Sequence, residues 1–406
     1  MTQEALIMRA TILGMGLLAL GACDAAPVVA QTAPWQQAAP NKKDATPAFK
    51  GQTRARWDKS SVKPAVQVVA SGIPHPWAIA MLPDGDVLVT QKSGKLWLVT
   101  PKGQKSEVAG APKVAYGGQG GLMDISLGPD FTNQLTLWLT YSEPRGGGKS
   151  GTTLAKAVLS KDRKSITGLT VVFRQQPAWS GGGQFGSNIA WDSAGNIFLT
   201  LGERYSVESR KHAQNITDDL GKVVHITPEG KPAPGNPFIG KAGAAPEIWS
   251  YGHRNPQGAA INPKSGKLWE IEHGPRGGDE INVPEPGKNY GWPVITYGID
   301  YPGGPIGDGI TAKPGMEQPI YYWDPVIAPS DMIFYKGDLF PWTDQLLIGS
   351  LAGGVVRLIV DGETVVAEDR MLEDEGRIRD IDEAPDGALW LAVDDSDGKL
   401  LRVTPG

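Results

Sequence analysis

Short apolar runs with a period of two, broken by turns built on Pro, Asp or Gly, recur along most of this chain. One strand-turn-strand phrase can be read six times. Its copies are 78–90 around Pro83-Asp84-Gly85, 122–141 around Pro129-Asp130-Phe131, 189–200 around Asp192-Ser193-Ala194-Gly195, 258–270 around Pro263-Lys264-Ser265-Gly266, 332–349 around Gly337-Asp338 and 378–393 around Pro385-Asp386-Gly387. The first and last continue into 94–99 and 398–403, each predicting a third strand after a tight turn. A single four-stranded sheet cannot bury both faces, so repeats of this length pack radially about a channel. The pattern predicts an all-β chain folded as a six-bladed β-propeller with four-stranded antiparallel blades. Ring closure needs a strand from the other end of the chain, and 65–70 (Ala-Val-Gln-Val-Val-Ala) is suitable.

Composition agrees. The 406 residues include 53 Gly and 33 Pro, which disfavours long helices and favours many short strands. Net charge is −5 with no basic block, so nucleic acid is excluded as the main partner. The one cysteine, Cys23, leaves no internal disulfide and no thiolate metal cluster. Met8-Arg9 is followed by an apolar run over 10–20, too short to span a bilayer, and Leu20-Gly21-Ala22-Cys23 resembles a bacterial lipobox. Residues 1–23 therefore read as a lipoprotein-type signal peptide with translation starting at Met8. The protein is expected to be exported to the periplasm and lipid-anchored to a bacterial membrane through Cys23, touching the membrane in no other way. Residues 24–62, rich in Ala, Pro, Gln and Lys without an apolar period, are expected to be a flexible tether, and 63–406 the propeller.

Several motifs fail on context. Gly181–Gly186 and Gly146–Gly151 both satisfy G-x-G-x-x-G, but strand-like runs follow where the dinucleotide fingerprint needs a helix. The five histidines show no metal-ligand spacing, and there is no G-x-S-x-G elbow.

The densest chemistry lies in 254–293: Arg254-Asn255-Pro256-Gln257-Gly258, then Glu272-His273-Gly274-Pro275-Arg276-Gly277-Gly278-Asp279-Glu280-Ile281-Asn282, then Asn289-Tyr290-Gly291-Trp292-Pro293. A fixed cation, an amide, carboxylates and a Gly-Pro turn with inward carbonyls suit an anionic cofactor held on a hard metal ion, and calcium prefers such oxygen ligands.

From Pro76 onward the chain resembles the soluble quinoprotein sugar dehydrogenases, specifically the aldose sugar dehydrogenases that use pyrroloquinoline quinone (PQQ). The motifs that carry this are those of the preceding paragraph with Tyr251-Gly252-His253 ahead of them, Gly118-Gln119-Gly120-Gly121-Leu122 and Arg377-Ile378-Arg379-Asp380. The resemblance implies a six-bladed propeller that oxidises aldoses to lactones by hydride transfer to PQQ, passing electrons to an unidentified acceptor. It places Gln119, Arg254, Asn255, Arg377 and Arg379 against PQQ. It places the Gly274 and Pro275 carbonyls on the Ca²⁺ that binds the cofactor, and Glu280 with the Tyr290 carbonyl at a second, structural Ca²⁺. Read alone, Arg377 and Arg379 alternate on a strand as solvated arginines do, and Gln119 is a turn residue.

The pattern breaks where the family has its histidine base, which here is Gln184, paired in the catalytic role with Arg254. Asn188 replaces a usual arginine, and Ala352 a cofactor-binding lysine of some members. An amide is no base near neutral pH. Three outcomes stay open: a working dehydrogenase with another proton acceptor, a PQQ-binding protein with weak or altered alcohol oxidation, or a non-catalytic exported binding propeller. A calcium-dependent propeller lactonase would need carboxylates pointing into the channel.

Overall fold

The structure is a computed structural model that describes residues 32–406; the expected signal peptide and Cys23 lie outside the described residues. Six antiparallel sheets are arranged around one axis. Their innermost strands are Pro76–Met81, Leu122–Leu127, Gly186–Trp191, Pro256–Ile261, Pro329–Phe334 and Ile378–Glu383, in blades 1 to 6. Each of the six phrases forms the inner two strands of a blade, because its alternation packs one face against each neighbouring blade. Blade 6 is closed by Pro64–Ala70, which pairs antiparallel with Lys399–Pro405 and brings the two ends of the propeller together.

The core is divided to match. Six apolar clusters fill the six gaps between blades, such as Trp77, Leu88 and Leu96 against Leu122, Leu137 and Leu139 between blades 1 and 2. Hydroxyls on or beside these strands stitch the innermost strands together. Thr90 Oγ1 donates to the Met123 carbonyl (2.6 Å), Thr140 to Ser187 (2.9 Å), Thr200 to Pro256 (3.1 Å) and Ser330 to Ile378 (2.7 Å). Each bond satisfies a carbonyl that the channel wall would otherwise leave short of a partner.

One expectation is corrected. From Thr32 the stretch expected to be a loose tether is packed onto the propeller. It forms a helical turn at Pro34–Gln37 and a strand at Arg56–Trp57, parallel to Thr364–Met371 at the edge of blade 5. Gln52 is fully buried, with Nε2 donating to the Pro319 carbonyl (2.9 Å) and Oε1 accepting from Tyr297 Oη (3.0 Å). The segment has no apolar period because polar bonds to distant loops hold it, and a periodicity reading cannot see those.

Candidate active site

All six innermost strands run in the same sense, and each second strand returns. One mouth of the channel is therefore built from residues just before a first strand or just after a second. Gln119, Gln184, Arg254, Asn255 and Arg377 occupy the first kind of position, and the turn after Leu268–Glu272 the second. The same geometry adds three residues that motif reading missed: Lys92 after Val87–Gln91, Glu203 after Ile197–Leu201 and Asp394 after Leu389–Val393.

The arginines converge. Arg254 is buried, and its Nη1 donates to the His273 (2.9 Å) and Gly274 (2.7 Å) carbonyls, so it faces the Gly274-Pro275 turn. Arg379, buried over the Trp77 ring (4.2 Å), reaches across from blade 6 to Gln257 Oε1 of blade 4 (3.1 Å). Half-exposed Arg377 donates to the Leu351 carbonyl (3.0 Å) and lies 3.5 Å from Asp394, which is also 3.8 Å from Arg379. Burial, with the charges of Arg254, Arg379 and Arg377, pushes the His273 imidazole down to about 3, so it is neutral. Burial likewise lowers Lys92, whose charged neighbours are Asp394, Arg379 and Arg377. For Asp394, burial works against ionisation, yet Arg379, His75 and Arg377 hold the carboxyl below its usual range. The mouth is thus a bowl in which cations outnumber the carboxylates of Asp394 and Glu203, suited to a polyanion.

Gln184 lies at its wall with a left-handed backbone (φ 49°). Its amide matches donors to acceptors in one orientation. Nε2 then donates to Glu203 Oε1 (2.6 Å), and Oε1 accepts from Arg254 Nη2 (2.7 Å) and Nη1 (3.2 Å). The Gln184 amide N–H donates to Gln119 Oε1 (2.7 Å), which places exposed Gln119 on the rim beside it. Glu203 Oε2 accepts from the Tyr205 N–H (3.0 Å) and Ser209 Oγ (3.1 Å). Burial raises the Glu203 carboxyl, opposed chiefly by Arg254. Exposed Tyr205 and Tyr301 stand 6.2 Å apart above Arg254, with Tyr301 Oη 3.4 Å from Nη2. Asn255 Oδ1 is engaged by Gly186 N and Gln257 Nε2, both at 3.2 Å, so it ties blades 3 and 4 together beneath the bowl.

Beside the bowl is a cavity of about 10 Å³ lined by Glu272, Gly274, Gly278, Glu280 and Tyr290 among others, room for one water-sized occupant. Behind this lining, Glu272 joins Glu270 and His253 in a buried cluster. Burial and the mutual repulsion of the carboxylates raise Glu270 to about 7 and Glu280 well above its ordinary value. Hydrogen bonds and charge from Glu270 and Glu272 overcome burial to lift His253 to about 9. Glu270 Oε2 and Asn282 Oδ1 are buried without hydrogen-bond partners, while His253 Nδ1 lies 3.3 Å from Glu270 Oε1. Orphaned oxygens with excess negative charge are the donor set a hard divalent cation satisfies, so these residues fit calcium.

The other two departures divide between the channel wall and the mouth. Asn188 is on the channel wall, donating to Asp331 Oδ1 (3.0 Å), and Ala352 follows the second strand of blade 5. Beyond Asn188 a cavity of about 670 Å³ opens at the opposite mouth, lined in part by Asp124, Asp331, Asp380 and Asp382. Channel carboxylates are therefore present, but several are spent on neighbouring strands. Asp124 Oδ2 accepts from Ile189 N (2.7 Å) and Asp380 Oδ2 from Ile79 N (2.6 Å).

Residues 73–402 match the family described as glucose/sorbosone dehydrogenase. The aldose sugar dehydrogenase YliI of Escherichia coli (strain K12) is 45% identical over 349 residues, covering 84% of this chain and 92% of that protein. The crystal structure of the soluble aldose sugar dehydrogenase from Escherichia coli in the apo-form superposes with a TM-score of 0.81 at 44% identity, covering 85% of this chain and 100% of the other. The PQQ-bound aldose sugar dehydrogenase from Streptomyces coelicolor does so with a TM-score of 0.68 at 29% identity, covering 84% and 99%.

Proposed function

The chain belongs to the glucose/sorbosone dehydrogenase family, and from that premise we propose that it oxidises aldoses to lactones at the cationic mouth, with PQQ and calcium. The observation that carries this reading is the meeting of Arg254, Arg377 and Arg379, from two blades, beside the Gly274-Pro275 turn. Arg379 and Arg377, with Lys92, would hold the cofactor's carboxylates, while Arg254 and Gln119 fix its edge at the wall. The Gly274 and Pro275 carbonyls would hold the cofactor's calcium, a Lewis acid there, and Glu280, Glu272 and the Tyr290 carbonyl a structural calcium. PQQ, when bound, accepts the hydride leaving the anomeric carbon.

The proton on the anomeric hydroxyl needs a separate acceptor. Gln184 is not basic, but it is bonded to Glu203, a carboxylate whose burial moves it in the direction of a better base. Gln184 orients the hydroxyl and Glu203 takes the proton. Tyr205 and Tyr301 offer exposed rings on which a sugar can stack. The cellular setting follows the sequence: export, with a lipid anchor on Cys23, and electrons passed to an acceptor outside this chain.

Titrating PQQ into the calcium-loaded protein tests the cofactor, and dye-coupled oxidation of a panel of aldoses tests the reaction. Binding with turnover is expected. Binding without turnover would reduce the protein to a PQQ carrier, and no binding to a propeller module.

A further inference from the structure

The family match begins at residue 73, after the packed segment that contains Pro34–Gln37 and Arg56–Trp57. That segment is a strap, and its middle reaches the metal turn. Asn41 N and Nδ2 donate to Asp324 Oδ1 at 2.8 and 2.7 Å, and Lys42 N donates to Asp324 Oδ2 at 2.8 Å. Both oxygens of Asp324 are thus engaged by the strap. The carboxylate lies against Gly277, which has φ +85°; a Cβ there would come within 2.6 Å of Asp324 Oδ1, so nothing larger than glycine fits beneath it. Asn41 closes the loop from the other side, its Oδ1 accepting from Arg276 Nε at 3.0 Å.

Arg276 and Gly277 are the middle of the turn whose ends, Gly274 and Gly278, line the ion-sized cavity. Blade 4 grips those ends through Gly274 N to Asp279 Oδ1 (2.8 Å) and Gly278 N to the Trp323 carbonyl (2.8 Å). The strap grips the middle. We propose that Asn41 and Lys42, acting through Asp324, are positioning residues that hold the Gly274–Gly278 turn with the Gly274 and Pro275 carbonyls aimed at the cofactor's calcium. This rests on the reading of that turn as a metal site. Partners one shell out from metal ligands typically set affinity by about 10–100-fold, because they fix the ligand's direction before the ion arrives.

The test uses the full chain after chelation, with calcium as the probe. Asn41→Ala and Asp324→Asn are compared with Trp57→Phe, which removes the Trp57 Nε1 bond to Asp369 (2.9 Å) at the far end of the strap and leaves the turn alone. Calcium affinity is read by calorimetry, and exchange of the Gly274 and Gly278 amides by hydrogen-deuterium exchange in the metal-free protein. Asn41→Ala and Asp324→Asn should each weaken calcium by about 10-fold or more and speed exchange at both glycines, while Trp57→Phe changes neither and lowers only the Tm. Unchanged affinity with unchanged exchange would overturn the proposal. If the unaltered protein bound no calcium, the metal reading would fail, and the metal-free exchange would still decide the strap: faster exchange in Asn41→Ala supports it, equal exchange overturns it.

Discussion

Replacing Gln184 with histidine probes the chemistry most directly. The amide bridges Glu203 Oε1 at 2.6 Å and Arg254 Nη2 at 2.7 Å, so an imidazole in its place has one nitrogen to donate to Glu203 and another turned toward Arg254 and the mouth. The backbone at 184 is left-handed, a region histidine enters more readily than most residues, so the exchange adds little strain. One negative and one positive neighbour at similar distance oppose each other, and burial of the position favours the uncharged ring, so the imidazole is neutral at pH 7.5. A positioned base contributes about 10²–10⁴ in rate, or roughly 3–5 kcal/mol of barrier. With Glu203 as the proposed proton acceptor, the gain should fall at the lower end, about 100-fold in kcat/KM. The assay is dye-coupled aldose oxidation with PQQ and calcium saturating, followed against pH. A new acidic limb should accompany the gain, and Glu203→Gln in the same protein should shrink it by removing the carboxylate that orients the ring. An unchanged rate with unchanged PQQ affinity would show that proton transfer does not pass through position 184.

Other outcomes follow from the same geometry. Arg379→Ala should weaken PQQ by about 10–100-fold, because a buried charge-assisted bond is lost, and half-exposed Arg377→Ala by less; equal effects in a fluorescence titration would contradict the burial argument. Glu280→Gln should abolish the thermal stabilisation that calcium gives the chelated protein, as measured by differential scanning fluorimetry. The channel acids predict a pH effect. Burial raises Asp124 to about 7 and, with repulsion from Asp124, Asp331 to about 8. A carboxyl raised on folding favours the folded state fully below its unfolded value near 4, and that contribution is lost as pH climbs through the folded values of 7–8. Asp331→Asn should therefore raise the Tm by about 1 °C, on the order of 1 kcal/mol, at pH 8.5 and by almost nothing at pH 4.

The fold was legible because its signal is local and repeated. Each blade's inner hairpin is written in one phrase, and six phrases imply a ring whatever the insertions between them. The closing strand Pro64–Ala70 was legible for the same reason, being alternating and apolar enough to complete blade 6. The strap was not, since its stability comes from single polar bonds to residues far along the chain, such as Asn41 to Asp324 and Gln52 to Pro319. These leave no periodic trace, and a Pro- and Gln-rich stretch docked this way has the composition of a linker.

The site divides along the same line. Arg254, Gly274 and Glu280 stand in glycine-rich motifs whose backbone demands make them visible in sequence. Lys92, Glu203 and Asp394 stand in ordinary turns and look like surface charges. What places them is topological: the second strand of every blade ends at the mouth where every first strand begins, so the residue just past each second strand faces the bowl. Applied to the observed strand ends outside blade 2, whose second strand runs on to Pro144, that rule selects Lys92, Glu203, the Gly274 turn, Ala352 and Asp394. It also separates the departures from the family pattern. Gln184 precedes a first strand and belongs to the mouth, whereas Asn188 lies inside that strand and faces Asp331 down the channel. The exchange at 184 therefore bears on proton transfer, and the exchange at 188 on the charge of the channel wall.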